Sequence, residues 1–407
     1  MTLSLCMIVK DEAAQLPQAL HSVSAHVDEM IVVDTGSTDA TVTVAEAAGA
    51  QVFAYEWTND FAAARNAALG YATGDWILVL DADERLTPAG QTLLKQIQAG
   101  KPLGGVDLAS ILMVTVIRHE LGAEQSPYSA VSRLFRNHAD IRFNRPYHET
   151  VDDSVAALQQ REAAWQVVTL AETALAHTGY QATAIAQRDK FNRAQTLMAA
   201  YLADHPHDPY ICNKLGALYG QAGDWDKGRT LLEQGLRGDH GDPIDPSTAY
   251  ELHYHLGLAD RARDDLASAE QHYRTALEQP ILETLKLGAY INLGSLLKVQ
   301  QDLPGAIACF EQAVAIAPDF AVAHYNLGVA HRARGYLEPA IAAYTKAINL
   351  NPAYAEAYQN LGVVLFKLGK LPESLESFQR AIVLYQRINP EAALALKQGI
   401  RDLGIAP

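Results

Sequence analysis

The residues of this chain best suited to chemistry are carboxylates placed at the ends of apolar runs. In Gly74-Asp-Trp-Ile-Leu-Val-Leu-Asp-Ala-Asp-Glu84, five apolar residues, Trp76 to Leu80, stop abruptly at Asp81, Ala82, Asp83 and Glu84. Such a run reads as a strand buried on both faces that delivers acids at its C-terminal end. On extended backbone, carboxylates at i and i+2 point the same way, so Asp81 and Asp83 can share one hard divalent cation and the phosphate oxygens it bridges. An isolated D-x-D also describes a solvated turn after a core strand, so the neighbouring elements decide between the two.

The elements that would position these acids alternate in type. Leu3 to Val9 reads as a strand ending in Lys10, Asp11 and Glu12, and the spacing of Leu16, Leu20 and Val23 predicts a helix over 12–27. Met30 to Asp34 is a second strand, followed by the tight loop Thr35-Gly-Ser-Thr-Asp39. Ser37 or Thr38 is expected to cap a helix over 40–48 and to leave free amides as a small anion-receptive concavity. A third strand over 51–55 leads to Trp57-Thr-Asn-Asp-Phe-Ala-Ala-Ala-Arg-Asn66, which opens an Ala-rich helix ending near Gly70 to Gly74. This order implies a parallel sheet with helices on both faces, and its post-strand loops share one edge. Asp11, Glu12, Asp34, Asp81 and Asp83 therefore converge on one cleft. Together they repel one another unless a cation or the hydroxyl groups of a sugar compensate them.

Composition narrows the classes. The 407 residues exceed one core, and 49% hydrophobic with 19% charged residues describes a globular chain of two or more domains. A formal net charge of -15 excludes a general phosphate-neutralising surface, so no nucleic-acid partner is expected. Cys6, Cys212 and Cys309 make no metal-ligand spacing and cannot all pair, the profile of a reducing compartment. No apolar run approaches the roughly 18 residues of a membrane span, and the expectation is a soluble cytoplasmic protein.

Further along, 109–117 and 129–135 read as strands, accompanied by Arg118, His119, Arg133 and Arg136. Ile141-Arg-Phe-Asn-Arg-Pro-Tyr-His-Glu149 packs charges and aromatics together, and a last strand over 165–176 delivers His177-Thr-Gly-Tyr180. Beyond Gln187 the pattern is helical and repeats. Gly294, Gly328 and Gly362, each preceded by Leu, recur at a spacing of 34 residues, with Ala or Ser twelve later, Phe or Tyr sixteen later and Ala nineteen later. Two weaker copies start at Leu256-Gly257 and Leu215-Gly216, Gly238 to Pro246 is an insertion, and 390–403 reads as a capping helix. This is the tetratricopeptide pattern of paired antiparallel helices, whose concave face usually binds extended peptide or another protein.

The segments Leu5-Cys-Met-Ile-Val-Lys-Asp-Glu12, Val32-Val-Asp-Thr-Gly-Ser-Thr-Asp39, Asp60-Phe-Ala-Ala-Ala-Arg-Asn66 and Gly74 to Asp83 resemble, in order and spacing, the signatures of family 2 glycosyltransferases with a GT-A fold. The resemblance implies an α/β GT-A domain over 1-183, a mostly parallel sheet flanked by helices. An all-α tetratricopeptide solenoid over 184-407 follows, comprising a helical linker, about five repeats and a capping helix. It also implies inverting transfer of a sugar from a nucleotide-sugar, usually a UDP-sugar, with Mn²⁺ or Mg²⁺.

Carried over by position, Asp34 would bond the nucleobase, Arg65 would lie near the base or diphosphate, and Asp81 would meet the ribose or metal. Asp83 would ligate the metal with His177 as third ligand. Val9, Asp11, Glu12, Ser37, Ala82 and His148 would line the nucleotide-sugar site, and Glu149 would be the general base. A transferase fused to such repeats resembles enzymes that act on peptides or proteins, so a polypeptide acceptor on the concave face is the leading expectation, with a glycan or lipid acceptor left open. Alternatively the repeats stabilise the transferase or support a homodimer. The competing class is a repeat scaffold with a degenerate nucleotide-sugar-binding domain.

Overall fold

The computed structural model describes residues 1–123, 126–178, 184–238 and 243–402. The chain parts into two compact units, Met1–His255 and Leu256–Pro407. The first holds a mixed eight-stranded sheet of β1 (Leu3–Val9), β2 (Glu29–Asp34), β3 (Gln51–Ala54), β4 (Trp76–Val79), β5 (Glu84–Leu86), β6 (Ile111–Glu120), β7 (Tyr128–Arg136) and β8 (Gln166–His177), in the order β3-β2-β1-β4-β7-β6-β8-β5. The first four strands are parallel, and β7 adds antiparallel to β4. The chain winds outward from β1 through β2 to β3, then returns to β1's other side as β4. That reversal makes the crevice beyond the carboxyl ends of β1 and β4 the expected ligand position.

Alternation along the central strands feeds two cores. Leu3, Leu5, Met7 and Val9 of β1, with Trp76 and Leu78 of β4, pack against Leu16, Leu20 and Val23 of α1 (Leu16–Val23) and Leu93, Leu94 and Ile97 of α4 (Pro88–Gln98). Cys6, Ile77 and Val79 face the other way, onto Ala62 and Ala68 of α3 (Phe61–Leu69) and Val155 and Leu158 of α5 (Asp152–Arg161). Each fully buried Leu or Ile contributes about 1.5–3 kcal/mol relative to exposure, so a one-residue slip of β1 would be heavily penalised.

Three expectations change. The first helix starts at Leu16, not Glu12, because Pro17 occupies its first turn; Glu12 lies before the N-cap Gln15. Neither Ser37 nor Thr38 caps α2 (Thr41–Ala47); Asp39 accepts from the Thr41 amide instead. Helices α4 and α5 were not read from the sequence, although Thr87 before Pro88 is a start signal and its hydroxyl accepts from the Gly90 amide.

Helices occupy the remainder. The first unit continues with α6 (Ala184–Asp204), α7 (Pro209–Gln221) and α8 (Trp225–Arg237) into α9 (Pro246–Ala262). The second contains α10 (Leu266–Leu277), α11 (Leu287–Val299), α12 (Leu303–Ile316), α13 (Ala321–Arg334), α14 (Leu337–Leu350), α15 (Ala355–Lys367), α16 (Leu371–Ile388) and α17 (Pro390–Asp402). Asp208, Asp224, Asp265 and Asp302 cap α7, α8, α10 and α12. The repeating glycine is explained by contact: a Cβ on Gly294, Gly328 or Gly362 would lie 2.7–2.8 Å from the ring of Phe310, Tyr344 or Phe378, the aromatic sixteen residues on. Gly179, Tyr180, the boundary at 183, residues 239–242 of the expected insertion and Leu403 lie outside the described residues. Among the described residues no helix is long and apolar enough to cross a membrane.

Candidate active site

A chain of alternating acids and bases runs through the cleft. Helix α3, capped by Asp60 through the Ala63 amide, presents Arg65 and Asn66. The Asn66 amide donates to the Phe143 carbonyl and accepts from the Phe143 N–H, both at 2.9 Å, fixing the path of the segment toward Glu149. Arg65 then bridges two acids, donating from Nε to Glu149 Oε1 at 2.6 Å and from Nη2 to Asp81 Oδ1 at 2.5 Å. Arg133 of β7 binds the other oxygen of Asp81 and Glu84 Oε1 at 3.2 Å. Arg118 of β6 pairs with Glu84 at 2.5 Å and Glu120 at 2.8 Å. His177 of β8 completes the chain, with Nδ1 2.6 Å from Glu120 and Nε2 3.0 Å from Asp83.

Strand pairing explains the last links. Glu84 of β5 and Glu120 of β6 both lie opposite His177, on either side of β8, so three adjacent strands bring the groups into one row. Glu84 is fully buried; a lone carboxylate there would carry a large desolvation cost, which the two guanidinium groups offset. Burial raises the Asp81 carboxyl, but Arg133 and Arg65 reverse this and leave it well below the usual carboxylate range. Burial also opposes charge on Glu120, and its bonds to His177, Arg118 and Ser129 bring it to about 2. Burial lowers His177, yet hydrogen bonds to Asp83 and Glu120 raise it to about 9.

The other end of the cleft is built from backbone. Asp34, buried at the end of β2, accepts from the Gly36 and Ser37 amides. Asp11 accepts from the Thr38 amide at 2.7 Å, while its own N–H donates to Ser37 Oγ at 2.9 Å. Glu12 donates its N–H to Thr41 Oγ1. The Val9 carbonyl accepts from the Thr35 amide and hydroxyl. The expected free amides of the 35–39 loop are therefore a correction: Asp34 and Asp11 already occupy those of Gly36, Ser37 and Thr38. Compensation of the acids is likewise internal, by arginines on one side and amides and hydroxyls on the other.

Asp81, Asp83 and His177 do not form a ready three-ligand group; among the described residues no cluster of three His, Cys, Asp or Glu side chains is arranged to hold a metal. The reason is that guanidinium groups take both oxygens of Asp81. Asp83 and His177 Nε2 face one another across a 3.0 Å hydrogen bond, which both would have to give up to hold a cation. Ala82 is buried between the two acids. His148 is exposed, at φ 56°, with its ring edge-on to Tyr147.

Arg118, Arg133, Glu84 and Glu120 carry the site together yet were not singled out from the sequence as functional. The available signal was a charge-bearing pair at i and i+2, Arg118 and Glu120, at the end of a largely apolar β6.

Residues 4–168 match the model for glycosyl transferase family 2. Residues 213–281, 294–332, 330–369 and 355–387 match models for tetratricopeptide repeats. A TPR repeat-containing protein of Synechococcus elongatus is 47% identical over 315 residues, covering 77% of this chain and 75% of that protein. An uncharacterized glycosyltransferase of Rickettsia bellii is 32% identical over 178 residues, or 44% of this chain and 60% of that one. Among solved structures, that of MamA is 24% identical with a TM-score of 0.38, covering 42% of this chain and 95% of the other.

Proposed function

Because this chain belongs to the family 2 glycosyltransferases and carries C-terminal tetratricopeptide repeats, we propose that it is an inverting, metal-assisted transferase that moves a sugar from a UDP-sugar to a polypeptide acceptor. The observation that carries this reading is the position of Arg65, which holds Glu149 and Asp81 at once and so ties the acid proposed as base to the donor side of the cleft.

In the proposed reaction the acceptor's nucleophile attacks the anomeric carbon, and the bond from that carbon to the diphosphate oxygen breaks on the opposite face. The acceptor's proton passes to Glu149, whose Oε1 is held by Arg65 so that Oε2 is left to receive it. Arg65 and Arg133, which hold Asp81, would face the negative charge that grows on the departing diphosphate. Asp34 would accept from the nucleobase, with Val9, Asp11, Glu12, Ser37 and Ala82 around the nucleotide. Asp83 and His177 would hold Mn²⁺ or Mg²⁺, which when bound draws charge from the diphosphate. The proton on His177 Nε2 that faces Asp83 is the charge such a cation would replace, while Nδ1 keeps its bond to Glu120, since metal binding to imidazole displaces a proton.

The test is incubation with a panel of nucleotide-sugars and Mn²⁺, monitoring donor hydrolysis and binding. Turnover of one UDP-sugar that falls in the Glu149→Gln variant is expected. Neither binding nor hydrolysis of any donor would sink the enzyme mechanism and favour a repeat scaffold.

A further inference from the structure

The segment that carries Glu149 is a small closed loop. Asn144 and Thr150 bridge each other across its base, through both pairs of N–H and carbonyl groups. On one side the strand region grips it: the Phe61 N–H donates to the Pro146 carbonyl at 3.0 Å, and Arg65 holds Glu149. On the other side the grip comes from α6 and α7, with Arg145 Nη1 also pairing with Asp153 of α5 at 2.8 Å. Arg145, at φ 72°, donates from Nε to Asp208 Oδ2 at 2.9 Å, and its guanidinium lies 5.1 Å from the Tyr210 ring centroid. A non-glycine residue pays for that backbone conformation, and it persists only where its surroundings over-determine it. Asp208 is itself fixed: Oδ1 caps α7 through the Ile211 amide, and the Tyr201 hydroxyl donates to Oδ2 at 3.2 Å. Arg145 and Asp208 are both about nine-tenths buried, so the pair is screened little by solvent. Tyr147, next but one to Glu149, packs on the apolar cluster of Ala194, Met198 and Ile211 in α6 and α7.

We propose that α6 and α7 complete the catalytic site by fixing this loop, with Arg145 and Asp208 as positioning residues for Glu149; the proposal rests on the reading of Glu149 as base. The start of the helical region then has a role in the reaction itself, separate from any acceptor binding by later repeats. Neither residue is required to touch substrate. Loss of the pair loosens the loop and misplaces the carboxylate.

The experiment uses the full chain and the variants Asp208→Asn, Arg145→Gly, Asp208→Glu and Glu149→Gln. Asparagine keeps the helix cap, and glycine accepts positive φ, so neither change removes the loop's path or the helix start. Hydrogen exchange is read on the 144–150 amides, and kcat and KM on the UDP-sugar that the panel identifies. Asp208→Asn and Arg145→Gly are expected to speed loop exchange about tenfold. They should lower kcat by roughly ten- to a hundredfold at unchanged donor KM, the scale of an ångström-sized misplacement. Asp208→Glu should restore part of kcat. Unchanged loop exchange in both variants, or a lowered melting temperature with unchanged kcat, would overturn the proposal. Full turnover in Glu149→Gln would instead sink the base assignment, and the exchange result would show separately whether the helices hold the loop.

Discussion

In the strand region the guanidinium groups of Arg65, Arg118 and Arg133 are shared among Asp81, Glu84, Glu120 and Glu149, whereas in the second unit the recurring contact is a glycine against an aromatic ring. The first arrangement couples its members: each base serves two acids, so removal of one group leaves several charges uncompensated. The second is modular. Gly294 with Phe310, Gly328 with Tyr344 and Gly362 with Phe378 each close one helix pair, and a fault in one affects chiefly its neighbours. The difference teaches where damage spreads.

Four substitutions or titrations sharpen that contrast. The largest effect is expected from Glu84→Ala, which leaves Arg118 and Arg133 partly unpaired beside a fully buried site. Denaturant unfolding should show a loss of about 3–5 kcal/mol, together with lost turnover. Next, Asp83→Ala, at a partly exposed position, should lower Mn²⁺-dependent turnover by about two to three orders of magnitude while the melting temperature barely moves. Undiminished, metal-independent turnover in that variant would remove the cation from the mechanism. In the array, Gly328→Ala places a Cβ 2.7 Å from Tyr344 and should cost about 1–3 kcal/mol with donor turnover intact. A drop in donor turnover there would mean that the regions are not separable as described.

The smallest effect concerns His255 in α9, whose Nδ1 lies 2.7 Å from Asn213 Oδ1. Burial pushes it down to about 4, with Lys214 adding to burial and Glu251 opposing it. The unfolded chain binds this proton below about pH 6.5 and the folded chain does not until about pH 4. Stability from this group is thus fully present above pH 6.5 and is lost as pH falls toward 4. After allowance for partial exposure the loss is about 1–2 kcal/mol. Urea midpoints across that range should fall less steeply in His255→Asn than in the parent chain.

Much of this was legible from residues in chain order. The apolar runs of β1, β2 and β4 and the acids after them fall as expected, because a parallel strand buried on both faces leaves an unbroken hydrophobic signature. The repeats were equally readable, since each glycine and its ring recur within one helix pair. The partners of the acids were not. Arg118 and Arg133 reach Glu84 only because β7 returns beside β4, β6 pairs with β7, and β8 joins β6 to β5, contacts separated by tens of residues that no local period encodes. Glu84 read only as one more acid at the end of β4 for the same reason. The loop at 35–39 misled in the opposite direction: its turn chemistry was plain, but Asp11, which fills the Thr38 amide, lies on a different loop.

That filled loop also sorts ligands by charge. An anion arriving at the start of α2 meets amides that already serve Asp34 and Asp11, and it finds carboxylates where a vacant amide nest would attract it. An uncharged group that donates hydrogen bonds meets acceptors there instead. At the other end, the guanidinium groups of Arg65 and Arg133 are likewise taken, by Asp81, Glu84 and Glu149. A ligand whose leading end is neutral and rich in hydrogen-bond donors therefore meets matching acceptors at the carboxyl ends of β1 and β2 before any shape-specific contact forms.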